Sequence, residues 1–429
     1  MGLDFKEHFL HYLWKTGNFN HTALQTTTGL PITIIHAGHH NHDSGPDFKN
    51  AQIQIDNVLW TGNVEIHKTD KEWTEHQHNL DPAYENVILH VVYNHNPKFV
   101  LNKTHTLELK HHIAPGTLER YGLLELSNHT IPCRNLVGDV DSIYKNAWLD
   151  RMLAERLQNR NISIENFIET EGINWSQLCY ELTGRSFGFS TNSDVFQRLT
   201  RHIDQKLLRW HHGNQMQIEA LLFGCSGLLP LDAQDEYTEQ MQKEWKFLKA
   251  KYKLNEMAAS EWKFSKMRPS NFPSIRIAQF AALISQSQSL FQQIIEAQNL
   301  IDISKLLQLN VTKYWQIHYN FYKQSAKVSA RQLGTTAIHS IVINAFAPLV
   351  FTYGKIKDEP ELVHKAIDWL QNLPAEQNNI TTEFSQLGMP NKNAAQSQAI
   401  IQLYKHYCAN KACLNCGIGN KILKNRVLT

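Results

Sequence analysis

Asp47 and Glu65 are the residues whose type and placement speak most directly of chemistry. Asp47 closes Ser44-Gly45-Pro46-Asp47, and Glu65 stands in Val64-Glu65-Ile66-His67. Between them, Phe48 to Asp56 alternates apolar and polar residues with one slip of phase. Asp56-Asn57 suits a turn, and Val58 to Ile66 runs back as a second β-rich segment. This pattern predicts a hairpin that returns Glu65 to the level of Asp47. Two carboxylates held side by side repel unless a cation lies between them. An oxygen pair of this kind suits a hard divalent ion such as Mg²⁺ or Mn²⁺, with waters left for chemistry on a phosphate.

His67 follows Glu65 by two positions and shares its face of a regular strand, whereas Lys68 faces the other way unless a bulge intervenes. A neutral imidazole accepts a proton or binds a metal, and an ammonium does neither without losing its charge. Histidine is abundant, 23 in all, and crowds this region: His36, His39, His40 and His42 precede Asp47, while His67, His76, His78 and His90 follow. That crowding fits a transition-metal site or a proton relay as well as a set of solvated loop residues. Asp70 to Leu80 reads as a polar helix, on which His76 and His78, two positions apart, do not share a face. A metal common to both is therefore not expected. Gly38 to Gly45 reads as a loop leading into Asp47.

The elements that must position these groups are also legible. Phe5 to Trp14 has helical spacing of apolar residues, Leu30 to Ile35 reads as a strand, and Val87 to Tyr93 as a buried strand. With the hairpin and the Asp70 to Leu80 helix, the order is α-β-β-β-α-β. Phe99-Val100-Leu101 and Thr106 to Leu109 suggest one extra short hairpin. From Leu118 onward helical stripes dominate. The division expected is an α/β domain over 1–115, an irregular all-helical domain over 116–400, and a cysteine-containing tail over 401–429.

Gly45-Pro46-Asp47 with Glu65-Ile66-His67 resembles the PD-(D/E)xK nuclease signature, and the element order matches the restriction-endonuclease-like core of that superfamily. The resemblance implies a metal-dependent phosphodiester hydrolase acting on nucleic acid, DNA favoured, with Asp47 and Glu65 as ligands of Mg²⁺ or Mn²⁺. It implies that His67 stands where the family has a lysine that orients or activates water, and that Glu7 on the first helix supports the site. The departure at His67 leaves open a non-catalytic relative that binds nucleic acid or protein through the same sheet. The chain also looks like an uncharacterised bacterial family of unknown function, through Gly45-Pro46-Asp47-Phe48, Trp60 to His67, Asp81 to Tyr93 and the cysteine tail. That second resemblance supplies no activity.

Two stretches of the helical region suit a phosphate as well as a domain-docking role. Gly184-Arg185-Ser186-Phe187-Gly188 sets Arg185 between glycines, and Arg268 and Arg276 flank a proline-stiffened turn that opens a helix. Cys179 and Cys225 sit in apolar helical contexts as buried thiols. Cys408, Cys413 and Cys416 form C-x4-C-x2-C, one ligand short of a closed zinc site, which His406 or Cys133 would complete. Closure by Cys133 resembles the iron-sulfur nucleases of CRISPR adaptation and recombinational repair, which have one early and three late cysteines at different spacing. Zinc or an iron-sulfur cluster are thus the centres to expect there.

A hydrophobic fraction of 42% with 19% charged residues and no low-complexity run points to a globular protein. The N-terminus lacks a basic start and an apolar run, and no stretch of about 18 apolar residues stands out, so a cytoplasmic protein without a membrane partner is expected. A net charge of +2 is too mild to announce nucleic acid by itself, although a local basic groove fits within that total. Nothing in the sequence specifies an oligomeric state.

Overall fold

The computed structural model describes residues 5–101, 103–172 and 174–424. Helix α1 (His8–Thr16) buries Phe9, Leu10, Tyr12, Leu13 and Trp14, and ends where Gly17, at φ 60°, turns its N–H back to Leu13 and Trp14. It lies against a six-stranded mixed sheet of β1 (Ile32–His36), β2 (His39–His40), β3 (Phe48–Ile55), β4 (Val58–Thr69), β5 (Val87–Asn94) and β6 (His105–Glu108). The order across the sheet is β1-β3-β4-β5-β6, with β2 paired to β3. Pairs β1/β3, β2/β3 and β3/β4 are antiparallel, and β4/β5 and β5/β6 are parallel.

The expected hairpin is present, with Asp56 at φ 54° in its turn. Its slip of phase is a bulge: Phe48, Ala51, Ile53 and Ile55 are buried, and Asn50, at φ 59°, takes up the extra residue. Strand β5 follows β4 in parallel, and helix α2 (Lys71–Glu75) occupies the crossover. Six residues in a row from Val87 to Val92 are buried, as a strand with neighbours on both sides and cover on both faces requires.

Several expectations are corrected here. Asp70 to Leu80 is helical only over α2; Gln77, at φ 61°, breaks the helix. The extra hairpin is replaced by one strand, β6, that continues the sheet in parallel, and Phe99–Leu101 carries no strand. Part of the loop from Gly38 to Gly45 is strand β2.

The chain divides into two compact units. The first comprises the described parts of Met1–Asp150, Thr382–Pro390 and Ile400–Thr429, and the second Arg151–Thr381 with Asn391–Ala399. The division therefore falls inside the long helix α4 (Ser142–Glu171) rather than at residue 115, and the tail belongs with the sheet. In the first unit, helix α3 (Thr117–Glu125) stacks Tyr121 on Phe9 of α1 at 4.2 Å between ring centroids. Among its described residues the second unit is mainly helical, with a small antiparallel pair, His318–Asn320 with Lys323–Gln324, and its core gathers Tyr180, Phe187, Phe196, Phe223, Phe280 and Trp315. Among the described residues, the helical run Thr335–Lys357 is long and apolar enough to cross a membrane by length and composition, although polar residues interrupt it. Its most apolar window is 61% buried within the protein.

Candidate metal centre

Hairpin register sets Phe48 opposite Val64, which brings Asp47 level with Glu65. The two acids are then locked by each other's backbone. The Asp47 N–H donates to Glu65 Oε2 at 3.1 Å, and the Ile66 N–H donates to Asp47 Oδ2 at 2.9 Å. One oxygen of each carboxylate is thereby fixed. The Asp47 carboxylate is approached by His11 Nε2, 3.3 Å from Oδ2, and the free Glu65 Oε1 lies 3.5 Å from His67 Nε2 and 3.2 Å from His78 Nε2.

The imidazoles are held from behind. His67 Nδ1 meets His90 Nε2 at 2.9 Å, because the parallel register sets β5 beside this part of β4. A proton on His67 Nδ1, donated to His90, leaves the His67 Nε2 lone pair facing Glu65. His78 stacks on Tyr84 at 3.8 Å and on His67 at 5.2 Å, and Trp73 packs edge-on against it. The break at Gln77 carries His76 and His78 to the same side. As a result, one ligand nitrogen from each of His67, His76 and His78 lies within 4.8 Å of the others. This corrects the helical premise that set His76 and His78 on different faces. A helix would have separated them, and the turn does not.

Glu7 joins from α1, one helical turn before His11, whose Nε2 is 3.8 Å from the Glu7 carboxylate. The Glu7 carboxyl also shares a hydrogen bond with Glu72, which accepts from the Lys68 N–H at 3.0 Å. Thus α1, β3, β4, α2 and the turn after it all contribute to one cluster.

Electrostatics at the cluster are those of an acid pair short of positive charge. Burial, and then the neighbouring Asp47, push the Glu65 carboxyl up to about 9. The same two causes raise Glu7 to about 7. Burial, then His90 and His78, drive His67 down to about 2, and burial takes His90 to about 4, so both rings are neutral. At His11 burial opposes the charge, but Asp47 and Glu7 outweigh it and raise its pKa. Nε2 of His11, His67 and His78 is buried in each case with no well-formed hydrogen bond. Buried polar atoms of this kind are rare unless a ligand or ion completes them. The donor set therefore fits a divalent cation, with Asp47 and Glu65 supplying charge and imidazole nitrogens supplying lone pairs. A mixed carboxylate and imidazole shell suits Mn²⁺ or a softer ion better than Mg²⁺.

Of the residues expected at the site, Asp47, Glu65, His67 and Glu7 come together. His11, His76 and His78 belong with them and were not assigned. His11 was readable as the residue four after Glu7 on a helix. The roles of His76 and His78 depended on Gln77 adopting positive φ, for which glutamine gives no signal. Arg185, Arg268 and Arg276 belong to the second unit. Arg185 is within the helix Trp175–Phe187, paired with Asp194 at 2.7 Å, so the glycines beside it frame no ligand loop. Arg268 and Arg276 line a cleft of about 1090 Å³ within that unit. Arg276 there bonds Gln279 and Asn271 and covers the Phe189 ring.

A sheet-bearing unit with an acid and imidazole cluster, followed by a helical unit, is the class these features define. Residues 7–379 match the model of the family described as protein of unknown function DUF2851, and the chain belongs to that family. No curated protein and no solved structure matches it.

Proposed function

We propose that the sheet-bearing unit is a metal-dependent nuclease that hydrolyses phosphodiester bonds, with DNA as the favoured substrate. The observation that carries this reading is the convergence of Glu65 Oε1 with the unpartnered Nε2 atoms of His67 and His78 beside Asp47. The strand order, with the acid pair where an antiparallel hairpin meets a parallel strand, further supports the PD-(D/E)xK resemblance.

A bound Mn²⁺ or Mg²⁺ supplies a lowered water pKa and charge stabilisation at phosphorus. The protein's own groups do the rest. Asp47 and Glu65, fixed by backbone hydrogen bonds, would hold the cation, Glu65 giving up its proton as the ion binds. His67, oriented by His90, and His78, braced by Tyr84, present neutral nitrogens to the same point. Glu7, raised to about 7 and only partly buried, holds a proton near neutral pH and is the group placed to give or take one. Six unpaired cysteines favour a reducing, cytoplasmic setting.

The test is cleavage of single- and double-stranded DNA by the full-length protein with Mn²⁺ or Mg²⁺. Asp47→Ala and Glu65→Ala should each reduce cleavage to background while circular dichroism stays native. Cutting by both variants at the parent rate rejects the site. DNA binding by the parent with either metal, but without cleavage, favours instead a non-catalytic nuclease-like binding protein.

A further inference from the structure

Cys133 and the three tail cysteines, from segments nearly three hundred residues apart, come together in the first unit. Cys408 lies close enough to feel Cys133, Cys413 and Cys416, and Cys133 feels Cys413 and Cys416. His406 is exposed on the π-helical turn Tyr404–Cys408 and does not join them. We propose that Cys133, Cys408, Cys413 and Cys416 form a tetrathiolate site for a thiophilic metal centre, a zinc ion or an iron-sulfur cluster, which ties the tail to the sheet-bearing unit.

The local structure is built around these sulfurs. The chain turns sharply at Lys411, φ 50°, whose N–H donates to the Cys408 carbonyl while the Cys413 N–H donates to the Lys411 carbonyl. After Cys416 the chain folds back tightly enough that a Cβ on Gly419 would sit 2.2 Å from the Cys413 carbonyl oxygen. One on Gly417 would sit 2.3 Å from the Trp148 ring. Glycine is required at both places by this close approach. The fold-back aims the N–H groups of Ile418 and Gly419, and the side chain of Trp148, at the Cys416 sulfur, and Cys133 receives its own backbone N–H. Donors directed at sulfur stabilise thiolates, the form in which cysteine binds metal.

Cys408 and Cys416 are buried, Cys133 and Cys413 are half-buried, and none of the four is in a disulfide. Among the described residues, the imidazole trio is the group whose ligand atoms all lie within 4.8 Å. Among the described residues no three of the four sulfurs lie that close together, which leaves room for a polynuclear cluster, and a single ion would need them closer. Both centres use the same four ligands.

The full-length protein is prepared anaerobically with His76→Ala and His78→Ala, so that metal on the imidazoles does not count. Metal, acid-labile sulfide and reactive thiols are then measured. About one zinc per chain, or iron with matching sulfide and a visible charge-transfer band, supports the site and identifies its centre. Cys133→Ser should lose that metal, whereas His406→Ala and Cys179→Ser should keep it. Should Cys133→Ser fail to fold, the parent still decides, because removing the metal should expose about four additional reactive thiols. Protein that takes up neither zinc nor iron on reconstitution, or that loses its metal with His406→Ala and keeps it with Cys133→Ser, overturns the proposal.

Discussion

His67 illustrates how a residue's role follows from its neighbours. At 1% exposure, with Nδ1 engaged by His90 and its ring stacked on His78, it is held as a ligand is held. A water-orienting lysine in its place would bring an ammonium against the cation. Both His67→Ala and His67→Lys should therefore weaken Mn²⁺ binding, and His78→Ala should cost roughly 10–100-fold in affinity, measured by titration calorimetry. Recovery of cleavage by His67→Lys above the level of His67→Ala would instead assign His67 to positioning water.

At the scale of elements, the site depends on how β4 meets β5. Gly62 lets the two strands converge, since a Cβ there would lie 2.5 Å from Ile88 Cγ2 and 2.7 Å from the Asn86 carbonyl oxygen. The same carbonyl accepts the Asn63 N–H at 2.8 Å, just before the register irregularity that aligns Glu65 with His90. Neither obstacle yields easily, the oxygen being main chain and Ile88 buried at 7% exposure. Gly62→Ala should destabilise the protein by about 1–3 kcal/mol in urea denaturation. It should also weaken Mn²⁺ binding, although residue 62 touches no ligand. An unchanged midpoint would mean that β5 can shift freely and that the register does not hold the cluster.

At the scale of the whole molecule, the helical unit holds a fully buried carboxyl of its own. Glu219, fully buried, accepts hydrogen bonds from Tyr237, Thr312 and Gln215, yet burial outweighs them and lifts its pKa to about 7. In the unfolded chain it ionises near its ordinary value of 4.5, so between that pH and about 7 the folded protein binds more protons. Stability must then fall as pH rises through this window and level off above it, with a total of roughly 3 kcal/mol as an upper figure. Glu219→Gln should flatten that decline when urea denaturation at pH 5 and pH 8 is compared with the parent. A variant with the parent's full slope would show that Glu219 is ionised at neutral pH.

Sequence by itself determined what short-range patterning can carry. The alternation from Phe48 to Ile55, the Asp56-Asn57 turn and the return through Glu65 placed two carboxylates side by side. Apolar spacing gave α1, the nuclease resemblance pointed to Glu7 beside it, and continuous apolarity gave β5. Cys133 stood among the two candidates to complete the tail cysteines. Tertiary structure decided the rest, because it depends on contacts that no local pattern encodes. The positive φ of Gln77 turned two histidines toward a third, the parallel register set His90 behind His67, and β6 extended the sheet where a hairpin had been expected. Packing likewise drew the tail to the sheet-bearing unit, with Cys133 half-buried there and His406 left in solvent. A residue's type announces what it can ligate; only the path of the chain decides what stands next to it.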